Sequence, residues 1–319
     1  MADLLEELDG FDIQSFNAGE TLLRAGEPGK ALYVLIDGEV EVSRGGTKAV
    51  NLKQPGTVIG ELSGLLNITR TANVTAVTPT RCYLIEDMHT VFKENVEVAI
   101  GVSQVEFARL NTMVSMILQI QEQYFEAAEA IKLDLSEIPG MSNYIRYCEE
   151  VQASSASKYP FILESIFDLG EEVTITSGET LFRDGKVTEP FYALKQGELR
   201  MSMFAGMINF PITEQGTVLN VGSALMPAPS IFSISAVEDS VVIKVDDIRQ
   251  LFGTEQEAGY ELLRQVAQRI VDFTATFVEI KAKILNLHAV IDAKYKDKVE
   301  QLVDVMHQQE RNLQIALLN

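Results

Sequence analysis

Apolar and polar positions alternate in short runs near the start of the chain. Ala31-Leu32-Tyr33-Val34-Leu35-Ile36 and Val40-Glu41-Val42, parted by Asp37-Gly38, read as strands joined by a tight turn. The same texture returns after residue 160. Between and beyond these stretches the period becomes helical. Ser103-Gln104-Val105-Glu106 reads as a capping box opening a helix with the stripe Phe107, Leu110, Val114, Ile117, Gln121, Tyr124, Ala128 and Ile131. A second box, Thr254-Glu255-Gln256-Glu257, precedes a longer seam through Leu263, Val266, Ile270, Phe273, Phe277, Ile280, Ile284, Leu287 and Ile291, which shifts register through Tyr295, Val299, Leu302 and Met306. Such a seam fits a coiled coil with a stutter or a helical hairpin. The pattern predicts an α+β chain of two antiparallel, jelly-roll-like β-rolls, each followed by helices, with a long C-terminal helical or coiled-coil region.

The rolls are also visible as an internal repeat. Asn17-Ala18-Gly19-Glu20-Thr21-Leu22-Leu23-Arg24-Ala25-Gly26 recurs as Thr176-Ser177-Gly178-Glu179-Thr180-Leu181-Phe182-Arg183-Asp184-Gly185. Tyr33 with Gly38-Glu39 recurs as Tyr192 with Gly197-Glu198, and Gly56-Thr57-Val58 as Gly216-Thr217-Val218. The expected domains are a first roll with its helix over 1–131, a linker over 132–158, a second roll over 159–253, and helices over 254–319. Within the linker, Pro139-Gly140 reads as a turn, Asn143 to Val151 as a brief helix and Ser154 to Ser157 as a flexible stretch. It is short enough for the rolls to touch.

Charge and composition narrow the chemistry. A net charge of −20 over 319 residues opposes a duplex-DNA surface, which needs clustered Lys and Arg. No apolar run approaches a bilayer span, and Met1-Ala2-Asp3-Leu4-Leu5-Glu6-Glu7 is acidic rather than a leader, so a cytoplasmic location without a membrane partner is expected. Cys82 and Cys148 form neither a disulfide framework nor a metal spacing, and His89, His288 and His307 stand apart. With no nucleophile elbow and no Walker-type loop, the chain is expected not to be an enzyme and to hold no metal.

What remains is one polar loop. Ile59-Gly60-Glu61-Leu62-Ser63 is followed by Arg70-Thr71-Ala72, placing one carboxylate and one guanidinium in a glycine-opened segment. A phosphate is met by a fixed guanidinium and backbone N–H groups, and a sugar hydroxyl by a carboxylate. Together with Gly19-Glu20-Thr21-Leu22, Arg24, Gly26, Gly29, Tyr33-Val34-Leu35 and Gly38-Glu39-Val40, this loop resembles the phosphate-binding cassette of the cyclic nucleotide-binding domain family. The resemblance spans about residues 11 to 130. It implies that Glu61 takes the ribose 2′-hydroxyl, Arg70 the exocyclic phosphate oxygens, and the backbone of Gly60, Leu62 and Ser63 the rest, with Thr71 and Ala72 completing the cassette. It also implies that the helix after the roll closes over the base, with Asn111, Thr112 and Ser115 as candidate base contacts, and pairs with a second copy in a homodimer.

The implied ligand is cAMP first and cGMP second, since Thr71 also resembles the guanine-preferring members. In the second repeat the loop reads Val221-Gly222-Ser223-Ala224-Leu225-Met226-Pro227-Ala228-Pro229-Ser230, with Ser223 aligned to the glutamate and no arginine, so that copy is expected to be degenerate. Residues 254–319 contain no glycine-containing helix-turn-helix, which argues against a DNA-binding output. The expected function is a nucleotide sensor acting through helices on an unidentified protein effector. The alternatives are a scaffold with vestigial cassettes, or the regulatory subunit of an enzyme supplied in trans.

Overall fold

The computed structural model describes residues 4–44, 47–135, 161–203, 208–226, 229–230, 232–290 and 296–318. The helix expected over Asn143 to Val151, and the turn and flexible stretch beside it, lie outside the described residues. Two compact units are present: residues 1–108 with 159–268, and residues 109–158 with 269–319.

The first unit holds both rolls. After a short helix α1 (Leu4–Glu7), the first roll contains β1 (Ile13–Phe16), β2 (Thr21–Leu23), β3 (Leu32–Asp37), β4 (Val40–Arg44), β5 (Thr47–Leu52), β6 (Val58–Ile59), a helix α2 (Glu61–Leu66), β7 (Asn73–Ala76) and β8 (Thr80–Ile85). Its sheets run β1-β8-β3-β6 and β2-β7-β4-β5, and every pairing is antiparallel. Expected alternation survives in β4, where Val40 and Val42 are buried and Glu41 is half-buried, but β3 buries Leu32, Tyr33, Val34 and Leu35 consecutively. A strand covered on both faces loses its period of two. Gly38 makes the β3–β4 turn at φ +101, and a Cβ there would lie 2.5 Å from Thr80 Oγ1. Only glycine fits that position.

The second roll repeats the plan with β9 (Phe161–Ile162), β10 (Glu171–Ile175), β11 (Thr180–Phe182), β12 (Phe191–Gln196), β13 (Leu199–Met203), β14 (Ile208–Ile212), β15 (Thr217–Leu219), β16 (Ser233–Ala236) and β17 (Ser240–Val245). Its sheets run β10-β17-β12-β15-β9 and β11-β16-β13-β14, the first-roll order with one added edge strand, β9.

Each roll leads into helices: α3 (Met88–Glu94) and α4 (Val96–Leu135) after the first, and α6 (Arg249–Gly253) and α7 (Gln256–Val290) after the second; α5 is Val221–Leu225, and α8 is Lys296–Leu318. The helix expected to open at Ser103 begins earlier, at Val96, after Asn95, whose side chain accepts the Val98 N–H at 3.1 Å. Ser103 lies inside the helix, fully buried, and donates to Ala99 O at 2.6 Å. A serine within a helix satisfies itself on the preceding turn instead of capping. The second expected box is also displaced. Thr254 ends α6, α7 begins at Gln256, and Glu257 pairs with Lys93 and sits 3.3 Å from His89 Nε2.

Those contacts join the two rolls. Arg249 Nε lies 3.3 Å from Glu97 Oε1, Gln104 Nε2 donates to Leu225 O at 2.9 Å, and the Phe107 and Phe161 rings pack at 5.7 Å. Leu263 and Val266 of the expected C-terminal seam are buried here. In the second unit, Ile270, Leu302 and Met306 are buried, Lys281 pairs with Glu310, and Gln309 donates to Gln119 at 2.9 Å. Among the described residues no helix is long and apolar enough to cross a membrane, and no group of three or more His, Cys, Asp or Glu could hold a metal ion.

Cys82, on β8, is fully buried, and burial pushes its thiol up to about 12. In a Cys148→Ser chain at pH 8, thiol reagents should therefore label Cys82 only as fast as the first roll opens. Pulse labelling that is as fast as in the denatured chain would contradict this.

Candidate functional site

The cassette hangs from the end of β6. Gly60 turns the chain at φ +90 into the six-residue α2, which Asn67 closes in the left-handed conformation at φ 53. Glu61 begins this helix and is buried; Leu62 is half-buried; Ser63 is buried, and its Oγ donates to Gly60 O at 3.0 Å. The chain then loops through exposed residues 67–69 to Arg70. That residue is fixed by its own backbone: Gly26 N–H donates to Arg70 O and Arg70 N–H donates to Glu27 O, both at 2.9 Å. The repeated glycine turn noted in the sequence is thus what anchors the arginine.

Arg70 points inward and is 7% exposed. Its Nη1 donates to Gly60 O at 2.6 Å and to Ser63 Oγ at 2.7 Å, and its Nη2 donates to Ala31 O at 2.6 Å. A guanidinium has five N–H donors. Three are spent inside the fold, leaving two that no described residue takes. Burial draws the guanidinium below its ordinary pKa, while the neighbouring Tyr33 and Glu61 pull it back up. It remains charged, because even a lowered guanidinium pKa stays far above neutrality. Tyr33 is raised by burial and lowered by Arg70, so the three groups share one buried electrostatic neighbourhood. Such a preoriented cation beside a carboxylate can hold a small anion that also carries hydroxyls.

Gly60, Glu61, Leu62, Ser63, Arg70, Thr71 and Ala72 are therefore brought together, with Thr71 exposed and Ala72 buried just before β7. Asn111, Thr112 and Ser115 are exposed on α4 and fall in the second compact unit rather than with the cassette. One positioning group escapes sequence reasoning, and a second is legible there only as a turn glycine. Ala31 acts through its carbonyl, which no side chain announces. Gly29 leaves room for the guanidinium, since a Cβ there would lie 2.6 Å from Nη2. Asn73 also braces the loop, accepting the Ala25 N–H at 2.9 Å.

The second roll corrects the sequence alignment. Tyr33 pairs with Ile59 as Tyr192 pairs with Leu219, so Asn220 occupies the place of Gly60 and Val221, not Ser223, that of Glu61. Asn220 is left-handed at φ 69, as Gly60 is, and Ser223 answers to Ser63. Gly185 N–H donates to Ser230 O and Ser230 N–H to Lys186 O, which identifies Ser230 as the counterpart of Arg70. Both ionic members of the cassette are thus replaced by neutral side chains.

Comparison with known proteins finds similarity over the first roll, the region that holds this cassette. Residues 13–93 match the family model described as the cyclic nucleotide-binding domain. The cGMP-dependent protein kinase egl-4 of Caenorhabditis briggsae is 42% identical over 69 residues, covering 22% of this chain and 9% of the kinase. Human cGMP-dependent protein kinase 2 is 33% identical over 84 residues, 26% of this chain and 10% of the kinase. The chain therefore spans about a tenth of these curated relatives. Among solved structures, the regulatory subunit of a cAMP-independent protein kinase A from Trypanosoma brucei is 17% identical, covering 84% of this chain and 85% of that one at a TM-score of 0.31.

Proposed function

We propose that this chain is a cyclic nucleotide sensor whose first roll binds the ligand and whose helices pass the event to a protein partner. The observation that carries this reading is the buried Arg70 beside Glu61 within a region, residues 13–93, that matches the cyclic nucleotide-binding domain. In it, the two uncommitted N–H groups of Arg70 take the exocyclic phosphate, Glu61 accepts from the ribose 2′-hydroxyl, and the Gly60-to-Ser63 backbone completes the seat. The second roll is a degenerate copy that takes no nucleotide. The chain itself is non-catalytic, and the output is a changed contact in a homodimer or with an effector, not a DNA complex.

The helix α4 begins beside the rolls at Val96 and continues to Leu135, so a displacement of its first turns travels along one continuous element. Coupling requires the ligand to prefer one helix position, by about 1–3 kcal/mol in typical cases. The test is isothermal titration with cAMP and cGMP. Binding near one nucleotide per chain is expected, and no heat with either would leave the scaffold reading.

The base is set at Thr71. It is exposed beside Arg70, where a hydroxyl can meet a guanine amino group. The matched curated relatives are named for cGMP, which supports cGMP beside cAMP as ligand. Thr71→Ala should weaken cGMP about 10-fold, the value of one hydrogen bond, and leave cAMP unchanged. Equal losses for both would instead place the hydroxyl on the phosphate.

A further inference from the structure

We infer that the second roll is closed by its own side chains, Asn220 and Phe232, and that these, with Val221 and Ser230, determine that it takes no nucleotide. The inference rests on the reading of the first cassette as a nucleotide site.

Asn220 does from inside the turn what Arg70 does from across the loop. Its Nδ2 donates to Thr188 O at 2.7 Å and to Pro190 O at 2.8 Å, on the segment entering β12. The corresponding first-roll segment, entering β3, is held by the bond from Arg70 Nη2 to Ala31 O. Asparagine tolerates the left-handed turn that Gly60 makes, so one residue supplies both the turn and the brace. The cation then has no structural duty, and Ser230 turns its hydroxyl onto Phe232 O at 2.7 Å.

The space above the strand is filled as well. Ala72 stands immediately before β7, one residue from Asn73, and Phe232 stands in the same place before Ser233 and β16. The Phe232 ring lies 5.8 Å from Phe182, which stacks on Tyr192 at 6.2 Å, and it packs on the roll's interior cluster with Leu194 and Leu199. A sugar phosphate entering here would have to expel an aromatic ring and would then find neither guanidinium nor carboxylate. The lost charges are written in the sequence, whereas the packing of Phe232 on Phe182 and the interior cluster is a property of the fold.

The experiment exchanges the devices between rolls in the full chain. In an Arg70→Ala background, Asn220→Gly, Val221→Glu, Ser230→Arg and Phe232→Ala together should create uptake of cAMP or cGMP where that background has none. With Arg70 intact, the same four should raise the stoichiometry from one to two per chain. The reciprocal change, Ala72→Phe, should abolish uptake by the first roll while leaving its melting temperature within a few degrees, because the second roll accommodates Phe232 at the same place before its strand. Phe232→Ala should lower the melting temperature by leaving a void.

A folded four-fold variant that takes up no second nucleotide, while the parent binds one, would overturn the inference. So would unfolding by Ala72→Phe, which would mean the first roll has no room there. If the parent binds neither nucleotide, the reading of the first cassette fails. The two melting measurements still decide whether Phe232 fills what Ala72 leaves open.

Discussion

Replacing Arg70 by alanine is expected to weaken nucleotide binding by about 100-fold or more and to destabilise the first roll at the same time. The two N–H groups left over from the fold would each make a charge-assisted bond to phosphate. At about 1.5–3 kcal/mol per bond, their loss corresponds to roughly two to four decades in affinity. The stability effect has a separate origin. Ser63 Oγ and Ala31 O lose the Arg70 donor, while Gly60 O keeps the Ser63 hydroxyl alone. Buried acceptors left unpaired cost about 1–3 kcal/mol each, and with some relief from water and rotation of the Ser63 hydroxyl the total should be on the order of 3 kcal/mol. Arg70→Lys separates the two roles. An ammonium keeps the charge but cannot span Gly60 and Ala31 with a planar fork, so melting should fall nearly as far while binding falls less. Titration calorimetry and thermal melts of the three proteins check this, and unchanged affinity in Arg70→Ala would remove the proposed phosphate contact.

The parts of the fold legible in the sequence are those written in residue identity. Glycines at positive φ, such as Gly19, Gly26 and Gly38, recur with their neighbours in the second copy and mark the turns of both rolls. Glu61 and Arg70 are likewise legible by type and spacing, and the structure brings them together. Reading failed where one residue does another's work. Asn220 holds the left-handed turn that Gly60 holds, so matching glycine to glycine sets Gly222-Ser223 against Gly60-Glu61 and passes over Val221. Capping boxes failed for a related reason. Ser103 and Glu106 have the right spacing, but Val98, Ala99, Ile100 and Val102 before them are buried on a helix already under way from Asn95. A box marks a start only where the preceding residues leave the helix, and that depends on tertiary packing. The brace on Ala31 O was illegible in principle, because every residue carries the same carbonyl.

Gly60→Asn alone should be strongly destabilising, yet far less so when Arg70→Ser accompanies it. A Cβ at Gly60 would lie 2.8 Å from both Arg70 Nη1 and Leu23 Cδ1, and Arg70 cannot withdraw without abandoning three bonds. Overpacking of this kind costs about 1–3 kcal/mol, and displacing the guanidinium should also remove nucleotide binding. Removing the guanidinium relieves one of the two overlaps. The same hypothetical Cβ lies 3.5 Å from Ala31 O, close enough for the introduced amide to donate there, as Asn220 donates to Pro190 O. The pair should therefore recover most of the stability lost by either change alone, with a residual deficit from the Leu23 overlap, and recover no binding. In a double-mutant cycle this appears as a favourable coupling of about 1–3 kcal/mol. Additive losses would show that Asn220 and Arg70 are not alternative braces for the same loop, because interchangeable braces must compensate when exchanged together.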